Sequence, residues 1–169
     1  MSSFSELRIA LNEPCLSISL SHHPTSPILA LLRPLSISFH DVYGCAIEGK
    51  VVAKKIQPTV MEWHPNQRIL AIGWKNGTIS LYQEDTSTFT QLLPISFYLY
   101  LIIDTLRDET EVHKSELILL KYNPVGTRMI TCDSNGLVCV WRGITCLSKY
   151  QRSGLINLCC FAELNLEPT

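Results

Sequence analysis

The sequence predicts an all-β fold made of repeated antiparallel sheets. Three observations predict it: short apolar runs that alternate at period two, Asn-Gly and Pro-containing turn signals between them, and recurrence of the whole pattern along the chain. The three copies are SISLSHHPTSPILALL at 17–32, VMEWHPNQRILAIGWKNGTISLY at 60–82 and LLKYNPVGTRMITCDSNGLVCVW at 119–141.

The copies at 60–82 and 119–141 align in one constant register without a gap. The matched positions share apolar, turn or aromatic character, which chance would not easily place in one register. They pair Trp63 with Tyr122, Pro65 with Pro124, Leu70 with Met129, Asn76-Gly77 with Asn135-Gly136, Ile79 with Val138, Leu81 with Val140 and Tyr82 with Trp141.

Each of these two copies is predicted to form three strands joined by two turns. In the copy at 60–82, Val60 to Trp63 is the first strand, and the proline after it presets φ for a turn into the second strand, Ile69 to Trp74. Asn76-Gly77 is a strong hairpin signal, because a type I′ turn needs positive φ at both central residues. Thr78 to Tyr82 is the third strand, and a fourth fits between successive copies.

The period identifies the type of sheet. Pro24 and Pro65 anchor the first two copies, and their separation leaves room for four strands. Four strands in about 40 residues, ending in an aromatic residue, is the spacing of a WD40 propeller blade. We therefore expect one domain over 1–169, a partial WD40-type β-propeller of about three four-stranded antiparallel blades plus the start of a fourth. The expected segments are blades at 14–50, 56–88 and 115–150, an irregular apolar insertion at 89–106, and the start of a fourth blade or a tail at 151–169.

The repeat signature is degenerate, and another antiparallel β sheet is the alternative. Gln83 follows Tyr82 and Arg142 follows Trp141, so neither copy has the Trp-Asp pair, and no Gly-His pair precedes a copy. Propellers typically contain 4–8 blades. Three copies therefore predict a fragment, a truncated gene model or one part of a larger propeller. The insertion is interpreted either as a long β-hairpin or as translated intron.

Composition excludes several classes of partner. The 14 basic and 15 acidic residues give a net charge of −1, which argues against nucleic acid as a partner. The longest apolar stretch, 92–103, is interrupted by Pro94 and is shorter than the ~20 residues of a spanning helix, so no direct membrane insertion is expected. The odd count of seven cysteines and the lack of a leader-like segment favour a reducing, cytoplasmic compartment.

No catalytic, cofactor-binding or metal-binding residue is predicted. His22 and His23 are adjacent in an extended segment and would point to opposite sides. Cys132, Cys139 and Cys146 recur every seven residues, which in strands would place neighbouring members on opposite faces. The thiols are therefore expected to pack as small apolar side chains.

A Ser/His/Asp arrangement of Ser134, His113 and Asp133 is also conceivable, but it lacks the strand–turn–helix context of a nucleophile elbow. The run RDETEVHK at 107–114 is expected to be a solvated loop or hairpin end. The chain is accordingly expected not to be an enzyme, and its large aromatic residues are expected to pack within and between blades.

The segment from Trp63 to Tyr82 resembles the second blade of the amino-terminal propeller in the intraflagellar transport protein 140 family, a subunit of intraflagellar transport complex A. The third copy resembles the blade that follows, and His23-Pro24 matches the opening blade. The repeat-motif residues that carry the resemblance and the internal repeat are Pro24, Trp63, His64, Pro65, Gly73, Trp74, Asn76, Gly77, Tyr82, Tyr122, Pro124, Asn135, Gly136 and Trp141.

The resemblance implies a non-enzymatic protein-interaction scaffold acting in retrograde ciliary transport and cilium assembly. It implies other complex A subunits and ciliary cargo as partners, no cofactor, and a location at the cilium and basal body. The second propeller and helical-repeat arm of that family are not in these 169 residues. A WD40 adaptor of another class, such as a vesicle-coat subunit or a ubiquitin-ligase substrate receptor, is the alternative.

Overall fold

The computed structural model describes residues 14–20, 27–91 and 112–153. Within these ranges every regular element is a β-strand, so the all-β prediction is confirmed for this part of the chain. Pro24, residues 92–106 of the predicted insertion and residues 154–169 of the predicted fourth blade lie outside the described residues. No helix in the described ranges is long and apolar enough to cross a membrane.

The strands form three four-stranded antiparallel sheets, and in each sheet consecutive strands pair as a meander. This arrangement is consistent with part of a β-propeller. The first sheet contains β1 (Ser17–Leu20), β2 (Leu29–Leu32), β3 (Ser36–His40) and β4 (Ala46–Ala53). The second contains β5 (Pro58–Trp63), β6 (Ile69–Trp74), β7 (Ile79–Gln83) and β8 (Thr88–Gln91). The third contains β9 (Leu117–Tyr122), β10 (Met129–Asp133), β11 (Leu137–Arg142) and β12 (Thr145–Gln151).

The second sheet lies between the other two. Its first strand, β5, packs against β1 and β2 on one side and against β9 on the other. In β6, Leu70 and Ile72 face the core shared with the first sheet, whereas Ala71 faces the core shared with the third. Successive residues of a strand point to opposite faces, so a strand covered on both sides is apolar throughout. This explains the unbroken apolar sequence of β6.

Aromatic rings join the first two sheets. Phe39 stacks on Tyr82 with ring centroids 5.2 Å apart and meets Trp63 edge-on at 6.1 Å. The Trp63 Nε1–H group donates a hydrogen bond to the carbonyl oxygen of Ser19 at 3.2 Å. Buried aromatic pairs of this kind contribute about 0.5–1.5 kcal/mol beyond the area they bury. These contacts fix the first sheet against the second.

The Asn-Gly hairpins differ from the predicted type I′ turns. Gly77 N–H donates to the carbonyl oxygen of Trp74 at 3.0 Å, so Lys75 and Asn76 are the central residues of the turn and Gly77 is its fourth. The φ of Gly77 is 87°, and among the described non-glycine residues only Ser87 has positive φ. The turn is therefore of type I, followed by a left-handed glycine. The type I′ prediction is wrong because the loop has three residues, Lys75 to Gly77, and not two. A three-residue loop of this kind needs positive φ at one residue, whereas a two-residue type I′ loop needs positive φ at both residues.

Two boundaries also differ from the sequence prediction. Strand β8 extends over Thr88–Gln91, so residues 89–91, placed in the irregular insertion by the sequence, form the fourth strand of the second sheet. Tyr82 pairs with Phe89 in this ladder, and their rings lie 4.9 Å apart. In the first sheet, β4 continues to Ala53, beyond the expected end at residue 50.

Candidate functional site

A buried polar network occupies the third sheet. His113 Nδ1 lies 3.1 Å from Asp133 Oδ2, and His113 Nε2 lies 2.7 Å from Thr131 Oγ1. The same Thr131 oxygen accepts a hydrogen bond from Trp141 Nε1 at 2.8 Å. His113, Thr131 and Trp141 have no exposed surface, and Asp133 is only 2% exposed. The network thus ties the segment before β9 to strands β10 and β11.

The hydrogen bonds assign the protons of this network. The Asp133 carboxylate needs a donor, so His113 carries its proton on Nδ1, and Nε2 accepts the hydroxyl proton of Thr131. The other carboxylate oxygen, Oδ1, accepts the N–H groups of Asn135 and Leu137, both at 3.0 Å. Burial lowers the pKa of His113, although the hydrogen bond and charge of Asp133 oppose this shift. The imidazole is therefore neutral at pH 7.

The position of His113 corrects the prediction of a solvated loop at 107–114. Residues 107–111 lie outside the described residues, but Val112 and His113 are buried. The charged neighbours in the sequence misled the prediction, because the partners of His113 come from β10, which follows later in the chain. The sequence does contain one indication of a buried polar network. Thr131 and Asp133 alternate on one face of an otherwise apolar strand that leads into an Asn-Gly turn.

Thr131, His113 and Asp133 have the connectivity of a hydroxyl–imidazole–carboxylate triad, but the hydroxyl has no access to solvent. Its oxygen also accepts the indole hydrogen of Trp141. A substrate could reach this hydroxyl only if Trp141 and the surrounding strands moved apart. The network is therefore built to hold the sheet together.

The second sheet contains a hydrogen-bond network around a lysine, although its hydroxyl and indole come from other repeat positions than those of the third sheet. When the register of the internal repeat is extended towards the amino terminus, Lys54 aligns with His113. Its Nζ donates to Ser80 Oγ at 3.2 Å and lies 4.5 Å from the ring centroid of Trp74. Ser80 Oγ also accepts Trp74 Nε1–H at 3.0 Å. Burial lowers the pKa of Lys54. In both sheets one hydroxyl thus joins an indole to a nitrogen-bearing side chain.

A buried carboxylate links the first two sheets. Glu84 is 1% exposed, and its carboxylate accepts hydrogen bonds from Lys50 Nζ and from Arg68 Nη1, the latter at 3.0 Å. Lys50 Nζ also donates to the backbone carbonyl oxygen of Glu84 at 3.3 Å. A buried charge is tolerated when it is paired and hydrogen-bonded, as here. The ion pairs fix β4 of the first sheet against the second.

His64 joins the second and third sheets at one end. Its Nδ1 accepts the Asn66 backbone N–H at 3.1 Å, so Nε2 carries the proton and donates to the carbonyl oxygen of Gly126 at 3.0 Å. The ring meets Tyr122 edge-on at 5.0 Å. Burial lowers the pKa of His64, and burial followed by the charge of Glu62 raises the pKa of Tyr122.

The first strands of the three sheets border a cavity of about 290 Å³. On the β5 and β9 sides, Thr59 Oγ1 donates to the carbonyl oxygen of Leu117 at 2.6 Å, and Lys121 pairs with Glu62 at 2.8 Å. Ile18 lines the cavity from β1 and is 60% exposed. In a propeller, the blades surround a central channel.

The remaining motif residues serve the backbone and the core. Gly73 permits close packing, because a Cβ there would lie 2.7 Å from Val60 Cγ2 and 2.9 Å from Leu117 Cβ. Asn76 Oδ1 accepts the Thr78 hydroxyl at 2.8 Å within the turn. Pro65 and Pro124 lie in the turns after β5 and β9, and Asn135-Gly136 forms the turn after β10.

Two cysteines approach each other in the third sheet. Cys139 in β11 and Cys146 in β12 are joined by a thiol hydrogen bond, which lowers the pKa of Cys146 to about 7 and raises that of Cys139. This corrects the expectation that members spaced by seven residues face apart, because a hairpin around Gly143 lies between them.

Among the described residues, no three His, Cys, Asp or Glu side chains are placed to hold a metal ion.

No family model matches the sequence.

Proposed function

We propose that the three sheets are blades of a WD40-type propeller and that the chain serves as a non-enzymatic protein-interaction scaffold. The observation that carries the proposal is the shared hydroxyl that joins His113 to Trp141 in the third sheet. A His near the start and a Trp near the end mark WD40 repeats. The packing of β1, β5 and β9 around one cavity adds support, because inner strands of successive blades surround a propeller axis.

We further propose that this scaffold acts within intraflagellar transport complex A, in retrograde ciliary transport and cilium assembly. The support is the resemblance of Trp63-His64-Pro65 and Gly73-Trp74 to the blade of that family. Partners would then be other complex A subunits and ciliary cargo, and the location the cilium and basal body. Apolar side chains exposed on the outer sheets, including Leu147 and Tyr150 of β12, offer surface on which further blades or subunits can pack.

The test is proximity labelling in ciliated cells that express the full chain fused to a biotin ligase. We expect enrichment of complex A subunits and a signal at the basal body. The matched control is the same fusion carrying Gly77→Val, which strains a backbone with φ of 87° and should lose the enrichment. Enrichment of coat or ubiquitin-ligase subunits without complex A would overturn the ciliary assignment in favour of another adaptor class.

A further inference from the structure

A second cavity, of about 300 Å³, opens between the second and third sheets at the end where His64 meets Gly126. Arg128 and Arg142 line it, together with the polar side chains of Gln67 and Thr127 and with apolar residues of β6, β7 and β10. Among the residues that the structure describes, none that lines it carries a carboxylate. We call it the arginine cavity.

The strand register brings the two arginines together. Met129 at the start of β10 pairs with Trp141 in β11, and Arg128 and Arg142 are the next residues beyond this last pair. Like charges that lie close together repel each other, and an anion between them would relieve that repulsion. Among the described residues, neither arginine forms an ion pair. Arg128 Nη1 donates to the neighbouring carbonyl oxygen of Thr127, at 2.9 Å.

We propose that the arginine cavity binds the carboxylate side chains of an extended acidic segment in a partner protein. The proposal rests on the proposed scaffold function and names the chemistry of one contact surface. Two guanidinium groups offer forked donors that match carboxylates in bidentate geometry. The Gln67 amide and Thr127 hydroxyl add donors, while Ile69 and Leu81 supply apolar surface for the stems of glutamate side chains.

Volume and charge favour a short acidic segment over other anions. A cavity of about 300 Å³ is at the small end of ligand sites, so it accommodates one or two side chains. The net charge of the chain is −1, so the attraction is local to this cavity. Nucleic acid binding draws on many phosphate contacts along a basic surface, which two arginines do not provide.

Fluorescence anisotropy with the full chain tests the proposal. The probe is a labelled, acetylated tetraglutamate peptide at low salt, and its tetraglutamine counterpart is the uncharged comparison. We expect the glutamate peptide to bind at least about tenfold more tightly. Arg128→Gln combined with Arg142→Gln should remove about tenfold or more of that affinity, and added salt should weaken binding.

Arg152→Gln is the matched control. Arg152 is exposed, and its backbone N–H bonds to Gly136, at the opposite end of β10 and β11 from the arginine cavity. This variant should change affinity less than about twofold, because single exposed charges contribute little. Equal losses in the control and the cavity variants would overturn the proposal, as would undiminished binding by the double variant. Tighter binding of a single-stranded oligonucleotide than of the peptide would also overturn it.

The experiments distinguish loss of peptide binding from loss of folding and from failure of the ciliary assignment. The single variant Arg142→Gln alters an exposed residue at the end of a strand, so it tests binding even if the double variant does not fold. Complex A labelling with no peptide binding would reject the cavity proposal alone. Peptide binding through both arginines without complex A labelling would reject the ciliary assignment alone.

Discussion

Trp141 and His113 are hydrogen-bonded to the same hydroxyl oxygen, that of Thr131. The indole donates to it over 2.8 Å, and the imidazole nitrogen lies 2.7 Å from it. All three side chains are fully buried, so neither nitrogen has water to replace the hydroxyl. The stability of the third sheet therefore depends on the hydrogen bonds of one hydroxyl oxygen as well as on its buried apolar surface.

Replacing Thr131 with valine tests that dependence. The substitution keeps the shape of the side chain but leaves Trp141 Nε1 and His113 Nε2 without partners. We expect a loss of about 1–3 kcal/mol in the free energy of unfolding. Urea denaturation of the full chain measures it. Thr90→Val is the control, because Thr90 is exposed in β8 and should change stability by less than about 0.5 kcal/mol. Equal effects of the two substitutions would contradict the role of the network.

Stability should decrease as the pH falls through the titration range of histidine. Burial lowers the pKa of His113 below its ordinary value of 6.5, and burial lowers that of His64 as well. Below pH 6.5 the unfolded chain therefore binds protons that the folded chain does not, and the free energy of unfolding falls until the folded pKa values are passed.

The measurement is the free energy of unfolding from pH 8 down to the acid end of the folded range. His113→Gln should lower stability at pH 7 but reduce the slope below pH 6.5, and adding His64→Gln should reduce the slope further. Parallel pH curves for wild type and the double variant would show that these imidazoles do not titrate as inferred.

Substituting Gly77 and Gly49 distinguishes the cost of a strained backbone from the cost of a steric clash. Both have positive φ, 87° and 73°, but a Cβ on Gly49 would meet no atom within 4 Å, whereas one on Gly77 would collide with the carbonyl group of His113. Gly49→Ala should cost about 1–2 kcal/mol, the left-handed penalty for an L residue. Gly77→Ala should cost clearly more. Thermal unfolding of the two variants compares them, and similar losses would mean that the loop moves aside freely.

Cys146 should react with alkylating agents at neutral pH. The thiol hydrogen bond from Cys139 lowers the pKa of Cys146 to about 7, whereas an unperturbed cysteine titrates near 8.5. Trypsin releases residues 143–149, GITCLSK, with Cys146 as the single cysteine, so mass spectrometry can follow iodoacetamide uptake against pH. The half-maximal rate should lie near pH 7 in wild type and at higher pH in Cys139→Ala. An unchanged midpoint would exclude the hydrogen bond as its cause.

The local features of the fold were accessible from sequence because they depend on neighbouring residues. Apolar alternation and the Asn76-Gly77 signal identify β6 and β7, and the constant register between the two copies transfers them to β10 and β11. The exact turn was not accessible, since types I and I′ share the same residues. Which type forms depends on the length of the loop that the paired strands leave open.

The buried networks depend on contacts across strands, which composition does not show. His113 lies in a charged run, and its burial becomes evident only when β10 is placed beside it. Arg128 and Arg142 could have been paired from sequence, because both lie seven residues from Asn135, in the turn between their strands. The cavity between them is also lined by Ile69 of β6 and Leu81 of β7. No local sequence pattern predicts how the second sheet packs against the third, so the cavity could not be predicted.

The opposite orientation of Leu70 and Ala71 in β6 has a consequence for folding. Every hairpin closes between residues close in the chain, so each meander can form early and rapidly. Each remains marginal until a neighbour covers it, as in repeat proteins, where stability is the sum of single units and nearest-neighbour interfaces. The second sheet takes part in both interfaces. Its loss would leave the first and third as separate, weakly cooperative units, so amide hydrogen exchange should be slowest in β6.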